Sequence, residues 1–193
     1  MRRAAHNDLA ILRRKPSDLR RYIAWTNDIK SSYGSITKYI CLKRLQWWNP
    51  DPSVNLLETP IPEIPHKIPT PFADPSDYKV LRNDWPYGVT PDITHIVVWS
   101  KSPIPTKPEN GDVTDESRAL IEGFVDRMLV QRLQRHPKFE GVQKEVIREE
   151  HVLWFKNWAA LQSVRSLEHF HVLVRGVPDE IITEWTDESD IVR

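Results

Sequence analysis

The sequence predicts an α+β fold in a single domain: helices at the amino end, a proline-rich strap, then a mainly antiparallel sheet covered by one long helix. Three observations predict it. Apolar residues before position 46 recur at helical spacing, and eight prolines crowd the stretch from Pro50 to Pro75. Beyond them, apolar runs shorten to strand length around one long amphipathic segment. The 193 residues then divide into a basic helical part (1–49), the strap (50–77) and an α+β core (78–193).

Residues 17–31 are the first expected helix, capped by Ser17 or Asp18, with Leu19, Tyr22, Ile23 and Ile29 on its apolar face. Gly34 separates it from a second helix running from Ser35 to Leu45, whose apolar face carries Ile36, Tyr39, Ile40 and Leu42. Proline lacks a backbone donor and blocks regular structure, so the strap is extended chain. Ile61, Ile64, Ile68 and Phe72 are its expected anchors on the domain, while Ile61-Pro62-Glu63-Ile64-Pro65 also fits an SH3-type ligand. Strands are expected at Tyr78–Leu81, His95–Lys101, His151–Lys156 and His169–Val174, with Asn83–Gly88 as a turn. Between the second and third strands, Thr114–Leu133 is the long helix; Thr114 and Ser117 start it, and Leu120, Ile121, Phe124, Val125, Met128 and Leu129 are expected to face the core. A short helix from Pro178 to Trp185 closes the pattern.

Composition narrows the function classes. Net charge is zero, which counts against strong binding of nucleic acid over the whole surface, but the charge is unevenly placed. Basic residues dominate before residue 45, with clusters at Arg13-Arg14-Lys15 and Arg20-Arg21, while Asp179 to Asp190 is acidic. The basic end offers a complementary surface to a polyanion, a solvated helix face being the plainer reading of the same charges. Eight tryptophans imply a core or pocket built from large rigid faces. The single cysteine, Cys41, excludes an internal disulfide and sits in an apolar stretch as a core thiol, which fits a reducing compartment. The first six residues lack the apolar run of a signal peptide, and no stretch approaches the roughly 20 apolar residues of a membrane span. A cytoplasmic protein without a membrane partner is expected.

Side chains alternate along a strand, so His169 and His171 share one sheet face, and His95 shares a face with Trp99 and Lys101. Imidazoles on a sheet face need polar partners, so a purely packing role is costly. Asn157 ends the strand before, and Gln162-Ser163-Val164 connects it to the histidine strand. His171, His169, Glu168, His95 and Asn157 are therefore the candidate catalytic groups. Asp84, Trp85, Tyr87, Lys101, Trp154, Lys156 and Ser163 are the candidate substrate-binding groups. His169 and His171 with His95 or Glu168 could also ligate a metal, but no HExxH or CxxC pattern supports that, and neither metal nor cofactor is expected.

The order of these segments over residues 95–175 distantly resembles the histidine-triad nucleotide-binding fold. That resemblance implies His171 as nucleophile and His169 as its neighbour. Leu173 stands where the third histidine would be, and the Gly-rich phosphate loop is missing.

A closer resemblance spans nearly the whole chain. Leu19–Trp25, Tyr33-Gly34-Ser35-Ile36, Arg44-Leu45-Gln46-Trp47, Asn83–Gly88, His95–Lys101, Trp154–Trp158 and Glu168–Val172 are similar, in order, to the fungal N-acetylglucosamine-induced protein family. That family includes the arginine-containing cyclodipeptide synthases, so the resemblance implies arginyl-tRNA and a second aminoacyl-tRNA as partners. Such an enzyme needs a base for the attacking amine, donors for an oxyanion and a carboxylate for guanidinium. Asp84 and Glu168, then Asp92, are the carboxylates in view. Arg13, Arg14, Lys15, Arg20 and Arg21 would meet the tRNA backbone. The alternatives are a non-catalytic protein of the sugar response and a histidine-triad-like enzyme acting on nucleotide conjugates.

Overall fold

The computed structural model describes residues 14–157, 162 and 164–188. Its centre is a four-stranded antiparallel sheet in the order β1-β2-β4-β3, with β1 Tyr78–Arg82, β2 Ile93–Ser100, β3 Val152–Phe155 and β4 Glu168–Arg175. The four expected strands are all present, β2 and β3 starting or ending within two residues of the expected bounds.

One face is mainly apolar. Val80, Ile96, Val98, Phe170, Val172 and Val174 alternate onto it and are at most 4% exposed. The long helix covers this face, as α3 Asp115–Val125 continues through a wider turn, Asp126–Val130, into α4 Gln131–Gln134. Thr114 caps α3, its hydroxyl oxygen accepting from the Ser117 N–H at 3.2 Å. α6 Asp179–Thr186 adds Ile181, Ile182 and Trp185 to the same core. Not legible in the sequence were α5 Lys144–Val146 and its continuation Ile147–His151, because charged Glu145, Arg148, Glu149 and Glu150 mask the single buried residue Ile147.

The opposite face carries the histidines, and the amino-terminal helices and strap cover it. α1 spans Pro16–Tyr33, with Pro16 rather than Ser17 or Asp18 opening it; Lys15 is the cap residue and makes no side-chain cap bond. Proline suits a first turn because it has no N–H to satisfy. Gly34, at φ 80°, closes α1 with its N–H on the Lys30 carbonyl, a left-handed conformation that glycine adopts without strain. α1 rests on the domain along a narrow strip: Ile29 is buried, but Leu19 and Ile23 of the expected apolar face are 44% and 52% exposed. α2 Ile36–Tyr39 continues through a wide turn to Arg44 and packs Cys41 and Leu45 under Leu81, Val97 and Trp99. Cys41 is fully enclosed, and burial pushes its thiol up to about 11.

The strap changes faces. Ile61 and Ile64 pack on the histidine side, whereas Phe72 enters the helix side between Phe124 and Phe170. The crossing is held by polar groups instead of the expected Ile68 side chain, which is 37% exposed. Buried Asp77 accepts the backbone N–H groups of Lys67 and Ile68 at 2.8 Å, and the Ser102 hydroxyl donates to the Ile68 carbonyl at 2.9 Å.

Candidate functional site

Strand register brings the imidazoles together. His171 stands opposite Val97, and His95 stands two pairs along, opposite Leu173, so the two rings meet diagonally across β2 and β4. His95 Nε2 lies 3.0 Å from His171 Nδ1. Beyond β3, the Asn157 amide nitrogen lies 3.1 Å from His171 Nε2 and donates to the Tyr87 hydroxyl at 3.1 Å. Tyr87 stacks on His95 with centroids 5.1 Å apart, and Phe155 stacks on His171 at 5.1 Å. The Asn83 amide nitrogen sits 3.2 Å from the His95 ring nitrogens. With Asn157 donating to His171 Nε2, the His171 proton resides on Nδ1 and points at the lone pair of His95 Nε2.

His169 occupies a separate niche on the same face. Its ring stacks on Trp99 at 4.6 Å, and its Nδ1–H donates to the Leu167 carbonyl at 2.8 Å. That fixes Nε2 as a lone-pair acceptor, and it has no hydrogen-bond partner among the described residues.

Burial and neighbouring charge favour the neutral form of His169 and His171. His95, His169 and His171 are 3%, 5% and 7% exposed. Burial lowers His169 to about 4, with the Lys156 ammonium adding to the effect and the Leu167 carbonyl opposing it. Burial first, then His95, His169, Arg14 and Lys156, hold His171 well below the usual imidazole range. The site is thus a hydrogen-bonded pair of imidazoles in which His171 stands in its unprotonated, base form at neutral pH, with cations at its edge. Among the described residues, no group of three His, Cys, Asp or Glu side chains is arranged to hold a metal ion.

The profile of a family described as "Protein of unknown function (DUF3605)" matches residues 2–175. The chain belongs to the DUF3605 family. It is 29% identical over 184 residues to N-acetylglucosamine-induced protein 1 of Candida albicans, covering 92% of this chain and 67% of that one. An uncharacterized protein of Saccharomyces cerevisiae is 31% identical over 113 residues, 58% of this chain and 51% of its own length. The crystal structure of HTC1 superposes with a TM-score of 0.59 at 27% identity, covering 91% of this chain and 81% of that one. The expected kinship with the N-acetylglucosamine-induced proteins is thereby established. No helix of the described residues is long and apolar enough to cross a membrane.

The DUF3605 chain distributes the other expected residues around this cluster unevenly. Glu168 leaves β4 on the helix-side face, opposite the imidazoles; its Oε2 lies 3.1 Å from the Lys156 ammonium, a charge contact without hydrogen-bond alignment. Trp154 also lies on the helix side, against Phe170 and under the Arg118 guanidinium. Lys101 sits 5.5 Å from the Trp47 ring, on the histidine side but at the far end of β2. Asp84 receives the Arg44 guanidinium on both oxygens at 2.9 Å. Arg44 reaches on to Glu188, which also accepts the Arg82 N–H at 2.8 Å, so the turn carrying Asp84 is tied to the end of α6. Asp92 sits at the start of β2, 3.5 Å from Arg175.

Of the expected tRNA contacts, Lys15, Arg20 and Arg21 are exposed, while Arg14 turns inward: its guanidinium lies 4.2 Å over the Tyr22 ring and 5.9 Å from Tyr87. Arg13 and Ser163 lie outside the described residues. Asn83, Phe155 and the site-facing role of Arg14 were not legible in the sequence. Asn83 could have been found from its place beside Asp84 in the turn motif; nothing local marks the other two.

Proposed function

We propose that the chain is a tRNA-dependent, arginine-containing cyclodipeptide synthase, with the His95–His171 pair as its proton acceptor. The observation that carries the reading is that pair: two imidazoles 3.0 Å apart, closed by Asn157 and Tyr87, with Arg14 and Lys156 close enough to act on the charge of His171. The resemblance of the sequence motifs to a family that includes the arginine-containing cyclodipeptide synthases is its second ground.

An aminoacyl-tRNA ester is already activated, so the reaction needs no ATP. The α-amine of one aminoacyl group attacks the ester carbonyl of the other, a C–N bond forms, and the C–O bond to the tRNA ribose breaks. The departing ribose oxygen takes up a proton. A second attack, by the remaining amine on the remaining ester, closes the six-membered ring and frees the second tRNA. When the Asn157 amide swings from His171 Nε2 to the substrate, that nitrogen accepts the proton of the attacking ammonium, and the His171 Nδ1–H is stabilised by the His95 Nε2 lone pair. The Asn157 amide and Tyr87 hydroxyl are the oxyanion donors at hand. His169 Nε2, without a hydrogen-bond partner among the described residues, can receive a hydrogen bond from a substrate amine. Asp84 is the better guanidinium acceptor of the two carboxylates, because Asn83 and Trp85 connect it to the site, whereas Glu168 lies on the other face. Its two oxygens already bind one planar guanidinium fork, that of Arg44, each at 2.9 Å.

A second reading is favoured by burial: rings only 3–7% exposed also suit a non-catalytic binding protein of the sugar response. One experiment separates them. Purified protein with arginyl-tRNA and a second charged tRNA is expected to give a new cyclic dipeptide by mass spectrometry, and free amino acids with ATP none. Equal product from free amino acids and ATP, with the tRNA digested, overturns the tRNA-dependent mechanism; no product under either condition favours the binding protein.

A further inference from the structure

We infer that the half-buried rings of Tyr22, Trp25 and Trp85 form a stacking platform for the unpaired 3′ end of the aminoacyl-tRNA, delivering its ester to the His95–His171 pair. The inference rests on the tRNA-dependent reading above and names the part of that substrate which the protein grips.

The rings come from two separate parts of the chain. Tyr22 and Trp25 sit three residues apart on α1 and so share a face of that helix, and Trp85 comes from the turn between β1 and β2. Tyr22 lies 5.9 Å from Trp25 and 5.5 Å from Trp85, and Trp25 lies 5.4 Å from Trp85. All three are partly exposed, unlike the Phe72, Phe124 and Phe170 rings of the main core, which are at most 5% exposed. Aromatic faces held at a surface are what unpaired bases stack on, since every base has a π-face and only a single strand presents it.

Arg14 connects the platform to the chemistry. Its Nε–H donates to the Trp85 carbonyl at 3.2 Å while the guanidinium covers Tyr22 and approaches Tyr87, the ring stacked on His95. A guanidinium has five N–H donors, and the others of Arg14 have no hydrogen-bond partner among the described residues. They are suited to a phosphate of the terminal nucleotides. The Trp85 indole N–H is a second donor without a partner among those residues, despite being buried. An unpaired buried donor is costly, and a base edge or ribose hydroxyl entering beside it would relieve that cost. Exposed Lys15, Arg20 and Arg21 continue the positive charge along α1, where the double-stranded acceptor stem would follow.

The test measures binding, not turnover, so that it stands apart from the synthase assay. Two fluorescent RNA hairpins are compared by anisotropy at fixed salt, one with a single-stranded ACCA 3′ tail and one blunt. Wild-type protein is expected to bind the tailed hairpin at least about tenfold more tightly. Tyr22→Ala and Trp85→Leu should each erase most of that preference, Tyr22→Phe should keep it because the ring remains, and Arg135→Gln, a remote charge loss, should leave it unchanged. Equal wild-type affinity for the two hairpins, or a preference surviving in both ring variants, overturns the inference whether or not cyclic dipeptide is made. If the rings merely anchor α1, Tyr22→Ala lowers the melting temperature while the folded protein keeps its tail preference, and that outcome also overturns it.

Discussion

His171 Nδ1 and His95 Nε2 face each other at 3.0 Å across neighbouring strands, and each ring is also stacked against an aromatic side chain. The pair is therefore held in place on several sides and can act as one proton-accepting unit. His171→Ala and His95→Ala should each lower cyclodipeptide formation by roughly 10²-fold or more, the usual scale for a positioned acid or base. The double variant should lose little beyond either single one, since members of one unit are strongly non-additive. Turnover and thermal melting measured side by side check this: a well-folded double variant with wild-type turnover removes the pair from the mechanism.

Acid should destabilise the protein through the buried imidazoles. His169 falls to about 4 in the folded state against an ordinary value of 6.5, so between those limits the unfolded chain binds a proton that the folded one refuses. Stability therefore declines as pH drops from about 6.5 towards 4, by up to about 1.4 kcal/mol per pH unit for each such histidine. His171 shifts in the same direction and adds to the slope. Urea unfolding at pH 7, 6 and 5 should show the decline, and His169→Gln should flatten it by one histidine's share. An identical slope in that variant would mean that the ring titrates normally in the fold.

Much of this site is legible from two-residue alternation. His169-x-His171 and His95-x-x-x-Trp99 predict one polar face, and β2–β4 pairing puts them on it. The same rule places Glu168 on the other face, but its position next to His169 makes it look like a site residue. What alternation cannot reveal is the diagonal offset that joins His95 to His171, because it depends on strand register. Charge alone marks Arg14 in the sequence, and its turn towards Tyr22 and Tyr87 depends on how α1 is laid across the domain. Asp84 suits guanidinium in sequence and holds one in the fold, but that guanidinium belongs to Arg44, 40 residues away. The strap was expected to be pinned by side chains, whereas its crossing is pinned by backbone N–H groups that no residue pattern encodes.

That crossing yields a stability prediction. Asp77 is 1% exposed, and burial alone would raise its carboxyl, yet the Lys67 and Ile68 N–H bonds hold it below the ordinary value. Asp77→Ala leaves those donors unpaired and should cost about 2–4 kcal/mol. Amide exchange at Lys67 and Ile68 should rise more than in the sheet, since the strap can open locally. Unchanged protection at both amides would show that the proline-rich chain holds itself.

The basic residues of α1 should divide into two classes when tRNA binding is measured against salt. Lys15, Arg20 and Arg21 are exposed, so they act on a polyanion as simple charges. Neutralising them together should reduce the magnitude of the log–log salt slope by roughly 0.7–0.9 per lost phosphate contact, with melting shifted by no more than about 0.5 kcal/mol. Arg14 should behave differently, because it packs on Tyr22, bonds to the Trp85 carbonyl and is one of the charges that lower His171. Arg14→Gln should weaken binding and also move the acidic limb of the pH–rate profile upward, since removing a nearby positive charge makes imidazole protonation easier. Salt titrations and pH–rate profiles of the two variants decide the matter. If Arg14→Gln changes only the salt slope, as the outward-facing residues do, its contacts with Tyr22 and Trp85 have no bearing on the chemistry at His171.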